Sequence, residues 1–158
     1  MNIRELRPPD RGAIRDMLVR TGVFTAEEVI IALELVDAVL EKEDQTDYVI
    51  RVCEEEGSVA GYYCIGPTPA TEGTFDLYWI AVTPGRQGRG IGGFLNADAE
   101  AYIRAHGGRL IIVETSSRPL YEPTRAFYCR RGYAELSRIK DYYRPGDDLV
   151  VYGKYFSS

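Results

Sequence analysis

Histidine is almost missing from this chain: one residue, His106, serves 158 positions, so a histidine-built metal centre is excluded and no metal is expected. That single imidazole stands just before Gly107-Gly108, where it is placed to face the last carbonyls of a helix. Cysteine is scarce and odd in number. Cys53, Cys64 and Cys129 show no close C-x-x-C spacing and each lies in apolar or aromatic sequence, which assigns them to packing. Runs of Lys and Arg are absent, and 19 basic against 24 acidic residues leave a net charge of −5, so a phosphate-tracking surface for nucleic acid is excluded. No segment approaches the roughly 18 apolar residues of a membrane span, and residues 1–6 carry no apolar leader core. The expectation is a cytoplasmic protein with neither nucleic acid nor membrane as partner. No linker, repeat or low-complexity tract appears either, and 45% hydrophobic with 11% aromatic content suits one core, hence a single domain over residues 1–158.

Periodicity then supplies the elements. Residues 3–7 read as a strand, and Pro8-Pro9-Asp10 opens a helix with Ile14, Met17 and Leu18 on one face. Thr25 with Glu28 three residues on is a capping-box signature ahead of a second helix that ends in the charged stretch 41–44. Two strands, 48–53 and 59–65, flank a polar turn, and 75–82 forms a third, aromatic strand. A helix from Ile91 to His106 follows, then an apolar strand 110–113, a shorter helix 124–131 and two strands around Arg144-Pro145-Gly146-Asp147. The order β-α-α-β-β-β-α-β-α-β-β predicts a mixed α/β (α+β) sheet with helices on both faces.

The chemistry begins at Arg86-Gln87-Gly88-Arg89-Gly90-Ile91-Gly92-Gly93, between a strand and a helix. Glycines there permit positive φ and let backbone amides converge on an anion at the helix N-terminus, with Arg86 and Arg89 adding positive charge. Gly88-x-Gly90-x-x-Gly93 also matches the dinucleotide fingerprint, with Glu114 at a later strand end. Against a Rossmann-type dinucleotide-binding protein stand the five residues 83–87 between strand and first glycine, and a chain too short for further parallel crossovers.

Gln87 to Gly92 resembles the pyrophosphate-binding Q/R-x-x-G-x-G/A motif of the GNAT (Gcn5-related) N-acetyltransferases, and residues 126–133, Ala-Phe-Tyr-Cys-Arg-Arg-Gly-Tyr, look like the family's A-x-x-Y-x-x-x-G-F helix end. The resemblance implies the acyl-CoA N-acyltransferase fold: a central mixed, mostly antiparallel sheet of about seven strands with a splayed pair, flanked by four helices. It implies acetyl-CoA as cosubstrate, held by Ile80, Ala81 and Val82 along the pantetheine arm, by Gln87, Gly88, Arg89, Gly90, Ile91, Gly92 and Gly93 at the pyrophosphate, and by Phe127. Val82 N–H becomes the donor to the thioester carbonyl. Tyr128 becomes the acid that protonates the departing thiolate, its other reading being a core aromatic. Glu114 is the first candidate for general base, beside a solvated strand end or a water chain to backbone carbonyls; Glu54 and Glu55 come behind it. Tyr142 and Tyr143 resemble the tyrosine-bearing hairpin that closes over a peptide's first residue in N-terminal acetyltransferases. The family often carries an asparagine at the start of the last helix, where this chain has Tyr121-Glu122-Pro123. The expected reaction is direct attack of a small-molecule primary amine or amino acid on acetyl-CoA in a ternary complex, in a pocket drawn from residues 23–34, 68–74 and 142–148. Ribosomal-protein-alanine-like N-terminal acetylation and CoA binding without turnover stay open, as does a homodimer.

Overall fold

The computed structural model describes residues 1–157; Ser158, the last residue of the expected domain, lies outside them. Seven strands form one sheet: β1 (Asn2–Glu5), β2 (Val49–Glu55), β3 (Ser58–Pro67), β4 (Thr74–Val82), β5 (Leu110–Ser116), β6 (Ala134–Arg144) and β7 (Asp147–Tyr155), in the spatial order β1-β2-β3-β4-β5-β7-β6. Four helices accompany them: α1 (Asp10–Thr21), α2 (Ala26–Glu41), α3 (Ile91–Ala105) and α4 (Glu122–Arg130). Every neighbouring pair is antiparallel except β4 with β5. One parallel pair is too few for a Rossmann unit, which is built from successive parallel crossovers. No helix is long and apolar enough to cross a membrane among the described residues.

Strand periodicity sorts the core into two layers. On β3, Tyr62 and Cys64 face α1 and α2, packing with Ile14, Leu18, Leu33 and Val36; Tyr63 and Ile65 face the opposite layer with Leu95, Ala99 and Ile103 of α3 and Tyr128 of α4. Each fully buried aliphatic chain in these layers contributes about 1.5–3 kcal/mol, so the sheet is held from both sides.

Local signals explain the element ends. The capping box is present in both halves: Glu28 N donates to Thr25 Oγ1 at 3.1 Å and Thr25 N to Glu28 Oε1 at 3.0 Å. At the end of α3, Nδ1 of His106 lies 2.8 Å from the Tyr102 carbonyl and its ring stacks on Tyr102, the structural role read from its position. The first strand stops at Glu5 rather than residue 7, because Arg7 N donates to Asp10 Oδ2 (2.8 Å) in the turn that starts α1. At the far end, β5 runs on to Ser116, three residues beyond the apolar run that announced it.

The sheet opens in its middle. β4 and β5 pair only through Thr74–Leu110, Phe75–Ile111 and Asp76–Ile112, and then diverge. The register between β3 and β4 also shifts here, Cys64 pairing with Trp79 and Ile65 with Leu77, so Tyr78 is an extra residue that bends β4 away. Beyond the bulge, Thr83 N donates to Ala60 O at 2.8 Å. Antiparallel alternation therefore turns the Val82 N–H the other way, into the gap.

Candidate active site

Two cavities meet at the split. One, of about 1050 Å³, lies between the diverging strands and the start of α2; the other, of about 620 Å³, lies over the glycine turn. Tyr128, Ile80, Phe24 and Thr124 border both. The fold thus places the expected acid at the junction of two compartments.

Around the smaller cavity, Ile80, Ala81, Val82, Gln87, Gly88, Gly90, Ile91, Gly92, Gly93 and Phe127 all form part of the wall. The glycines divide by task. Gly88 (φ +78°) and Gly90 (φ +81°) sit in left-handed backbone with open space where a Cβ would stand. Gly92 and Gly93 are ordinary helical residues, and what they provide is room: a Cβ on Gly92 would stand 3.0 Å from the Phe127 ring, and one on Gly93 2.6 Å from the Arg131 guanidinium. No side chain caps α3, whose first helical bond runs from Phe94 N to Gly90 O, so the amides before it have no partner within the helix.

The positive charge does not lie where the turn's own arginines suggested. Arg89 pairs with Glu55 (3.1 Å) and is not part of the cavity wall; Arg86 donates to the Glu55 carbonyl (3.0 Å) and Ser58 Oγ (2.6 Å) and pairs with the Glu55 carboxylate (3.3 Å). Arg86 still lines the smaller cavity, but the guanidinium groups of both are tied to the β2–β3 hairpin. The same contacts remove Glu55 from the candidate bases, and Glu54 is taken by Arg4 at 2.5 Å. Arg130 and Arg131, which border the cavity, carried no assigned task in the sequence beyond filling the Tyr128 motif.

Tyr128 is buried on α4 among Phe127, Tyr133 and Tyr152, with ring centroids 5.3, 5.3 and 6.3 Å away. Its hydroxyl makes no hydrogen bond with any described residue. Burial pushes the phenol well above the usual tyrosine range, so it is protonated throughout the physiological interval.

The larger cavity is lined by five carboxylates, Glu27, Glu28, Asp76, Glu114 and Asp147, against two guanidinium groups, Arg118 and Arg144. Glu114 is exposed on β5 and forms no ion pair among the described residues. Tyr143 forms part of the same wall, and its phenol is pushed up to about 12, first by burial and then by the Glu114 carboxylate. Tyr142 lies outside the wall, exposed, with its ring edge on Tyr143 at 5.0 Å. Residues 68–74 contribute nothing to the cavity, contrary to expectation, because that loop is spent on joining β3 to β4 beside the paired end of the split. Asp147 falls within the expected segment 142–148, but its burial and its ion pairs were not read from the sequence. It accepts from Ser116 Oγ and from Arg144 (3.0 Å) and faces Arg118 at 3.4 Å, locking the β6–β7 turn to the end of β5. Tyr121-Glu122-Pro123 completes a short 3₁₀ turn and the first turn of α4, with Pro123 and Thr124 against the smaller cavity.

Over residues 7–133 the chain matches the profile of the acetyltransferase (GNAT) family. The chain belongs to that family. Among solved structures, a protein of Desulfovibrio desulfuricans assigned to the GNAT acetyltransferases is 44% identical over 98% of each chain, with a TM-score of 0.94. An aminoglycoside 6′-N-acetyltransferase in complex with coenzyme A (17% identity, 100% and 98% of the two chains, TM-score 0.79) shares the fold. So does a ribosomal-protein-alanine N-acetyltransferase from Brucella melitensis (23% identity, 99% and 100%, TM-score 0.79). A search by sequence against curated proteins returned no match. This GNAT acetyltransferase therefore belongs among the acetyl-CoA-dependent N-acetyltransferases. Its residues fit that cosubstrate: a turn with open space at Gly88 and Gly90, uncapped amides on α3 and an unpaired edge on β4.

Proposed function

We propose that the protein transfers an acetyl group from acetyl-CoA to the primary amine of a small molecule or amino acid, by direct attack while both substrates are bound. The observation that carries this reading is Tyr128, which borders both a cavity over the glycine turn and a cavity rich in carboxylates. Acetyl-CoA supplies the activated thioester. The amides of residues 88–93 hold the diphosphate at the positive end of α3, and the exposed edge of β4 pairs with the pantetheine arm in the manner of an added strand. Val82 N–H, turned into the gap, donates to the carbonyl oxygen on which charge develops.

On the acceptor side, five carboxylates against two guanidinium groups favour a cationic ligand, as an amine is before it gives up its proton. Glu114 takes that proton, having no other partner. Tyr128 then donates to the departing sulfur; its raised pKa keeps the proton available at every working pH. The α-amine of a peptide is the second reading, favoured by Tyr143 on the cavity wall. A screen of purified protein for amine-dependent thiol release from acetyl-CoA, against amino acids, polyamines, aminoglycosides and short peptides, separates the two. Turnover on free amines supports the first, turnover on peptides alone the second, and CoA binding with no release from any amine leaves a binding module and overturns both.

A further inference from the structure

Four arginines surround the glycine turn, and they are in different states. Arg86 and Arg89 share the single carboxylate of Glu55, which offsets one of their two charges, and Arg86, although it lines the cavity, spends its N–H groups on Glu55 and Ser58. Arg130 borders the cavity but is exposed and is not among the groups nearest Gly92 or Gly93. Arg131 differs from all three. Its guanidinium carbon lies 3.7 Å from the centre of the Phe127 ring, close enough for a cation–π contact that holds the group against the ring. The same guanidinium is the nearest group to Gly93, in the first turn of α3. One N–H is committed, from Nη1 to the Phe127 carbonyl at 3.2 Å, and no carboxylate pairs with it among the described residues.

The backbone beneath it is anchored. Lys154 Nζ donates to the Arg131 carbonyl at 2.9 Å and pairs with Glu100 at 2.9 Å. Glu100 accepts from Asn96 at 2.5 Å, and Tyr133 OH donates to Asn96 Oδ1 at 3.0 Å. The position is therefore set from β7, α3 and the end of α4 together.

We infer that Arg131, and not Arg86 or Arg89, is the cation that binds the diphosphate of the acyl donor against the first turn of α3; this rests on the acetyl-CoA-dependent reading above. A flat guanidinium with uncommitted N–H groups suits phosphoryl oxygens, which it engages through paired donors. The missing side chains of Gly92 and Gly93 are what admit the Phe127–Arg131 stack to that place.

The test is calorimetric titration of CoA, dephospho-CoA and pantetheine into wild type, Arg131→Gln, Arg131→Lys, Arg86→Gln, Arg89→Gln and Arg130→Gln. Arg131→Gln is expected to lose about tenfold in affinity for CoA and for dephospho-CoA alike, as removal of a charge-assisted pair should, and to bind pantetheine as wild type does. Arg131→Lys recovers part of the loss, Arg86→Gln and Arg89→Gln each lose less than Arg131→Gln, and Arg130→Gln stays within about twofold of wild type. The inference is overturned by unchanged affinity in Arg131→Gln, by a loss that extends equally to pantetheine, by a loss confined to CoA and so to its 3′-phosphate, or by an equal loss in Arg86→Gln or Arg89→Gln. A second readout needs no substitution: the Arg131 Nε–H resonance of wild type shifts on titration with inorganic diphosphate, and an unmoved resonance also refutes the assignment. Failure of wild type to bind CoA at all sinks the functional reading itself, an outcome distinct from binding that ignores Arg131.

Discussion

Replacing Tyr128 by phenylalanine removes one oxygen atom and tests whether a buried tyrosine is there for chemistry or for packing. The ring is enclosed by Phe127, Tyr133 and Tyr152, and all of that contact survives in the variant. The lost hydroxyl has no partner among the described residues, so nothing is left unsatisfied and the usual penalty of about 1–3 kcal/mol for an orphaned buried partner does not arise. Stability should change by less than about 0.5 kcal/mol, within the range of substitutions that touch no special feature. The diphosphate and pantetheine contacts proposed above do not involve the Tyr128 hydroxyl, so CoA affinity in calorimetry should stay within about twofold. Turnover is the quantity that must fall, by on the order of tenfold or more, since a positioned general acid contributes about 10²–10⁴-fold. The pH dependence adds a check of sign. The acid form is the active one and burial raises its pKa, so wild type shows no alkaline loss attributable to this group below about pH 10, the ordinary tyrosine value. Wild-type turnover in the variant, or a large drop in melting temperature, would refute the reasoning.

Two further outcomes can be measured with the same material. Glu114→Gln removes the unpaired cavity carboxylate and should lower kcat/KM by about 10²-fold on the amine found in the screen, with the melting temperature unchanged because the residue is exposed; unaltered kinetics would hand the proton to water. Asp10 presents a stability test. Burial acts to raise its carboxyl pKa, but hydrogen bonds from Arg4 and the Arg7 amide overcome this and hold it below the ordinary value. Its stabilisation is thus complete above the unfolded value of about 4 and is lost as pH falls through the folded one. Asp10→Asn should cost about 1–2 kcal/mol at neutral pH, since Arg4 keeps its pair with Glu54 and loses only the charge of its second partner, and should flatten the acid side of the stability curve; an unchanged acid limb would disprove the link.

Much of the fold was legible because its elements announce themselves locally. Thr25 and Glu28 mark a helix start, Pro145-Gly146 a hairpin, and the alternation through Tyr62, Tyr63, Cys64 and Ile65 a strand covered on both sides. The glycine turn and Tyr128 were readable too, since both lie in short contiguous motifs. What escaped was everything that depends on contacts between distant segments. Glu55 ties down Arg86 and Arg89 from a hairpin some 30 residues away, which no spacing along the chain reveals. Gly92 and Gly93 read like more of the flexible turn, whereas their purpose is set by Phe127 and Arg131 on another helix. Asp147 looked like turn residue chemistry, and its burial under Ser116, Arg118 and Arg144 follows from the pairing of β5 with β7.

The three rungs that join β4 to β5 also have a mechanical meaning. A seven-stranded sheet tied so lightly at its centre consists of two leaves on a common spine, and the two cavities bordered by Tyr128 lie along the fold of the book. Strain or thermal motion concentrates where rungs are fewest, so the parts that must admit and release two substrates are also those whose displacement leaves the packed layers on either side intact.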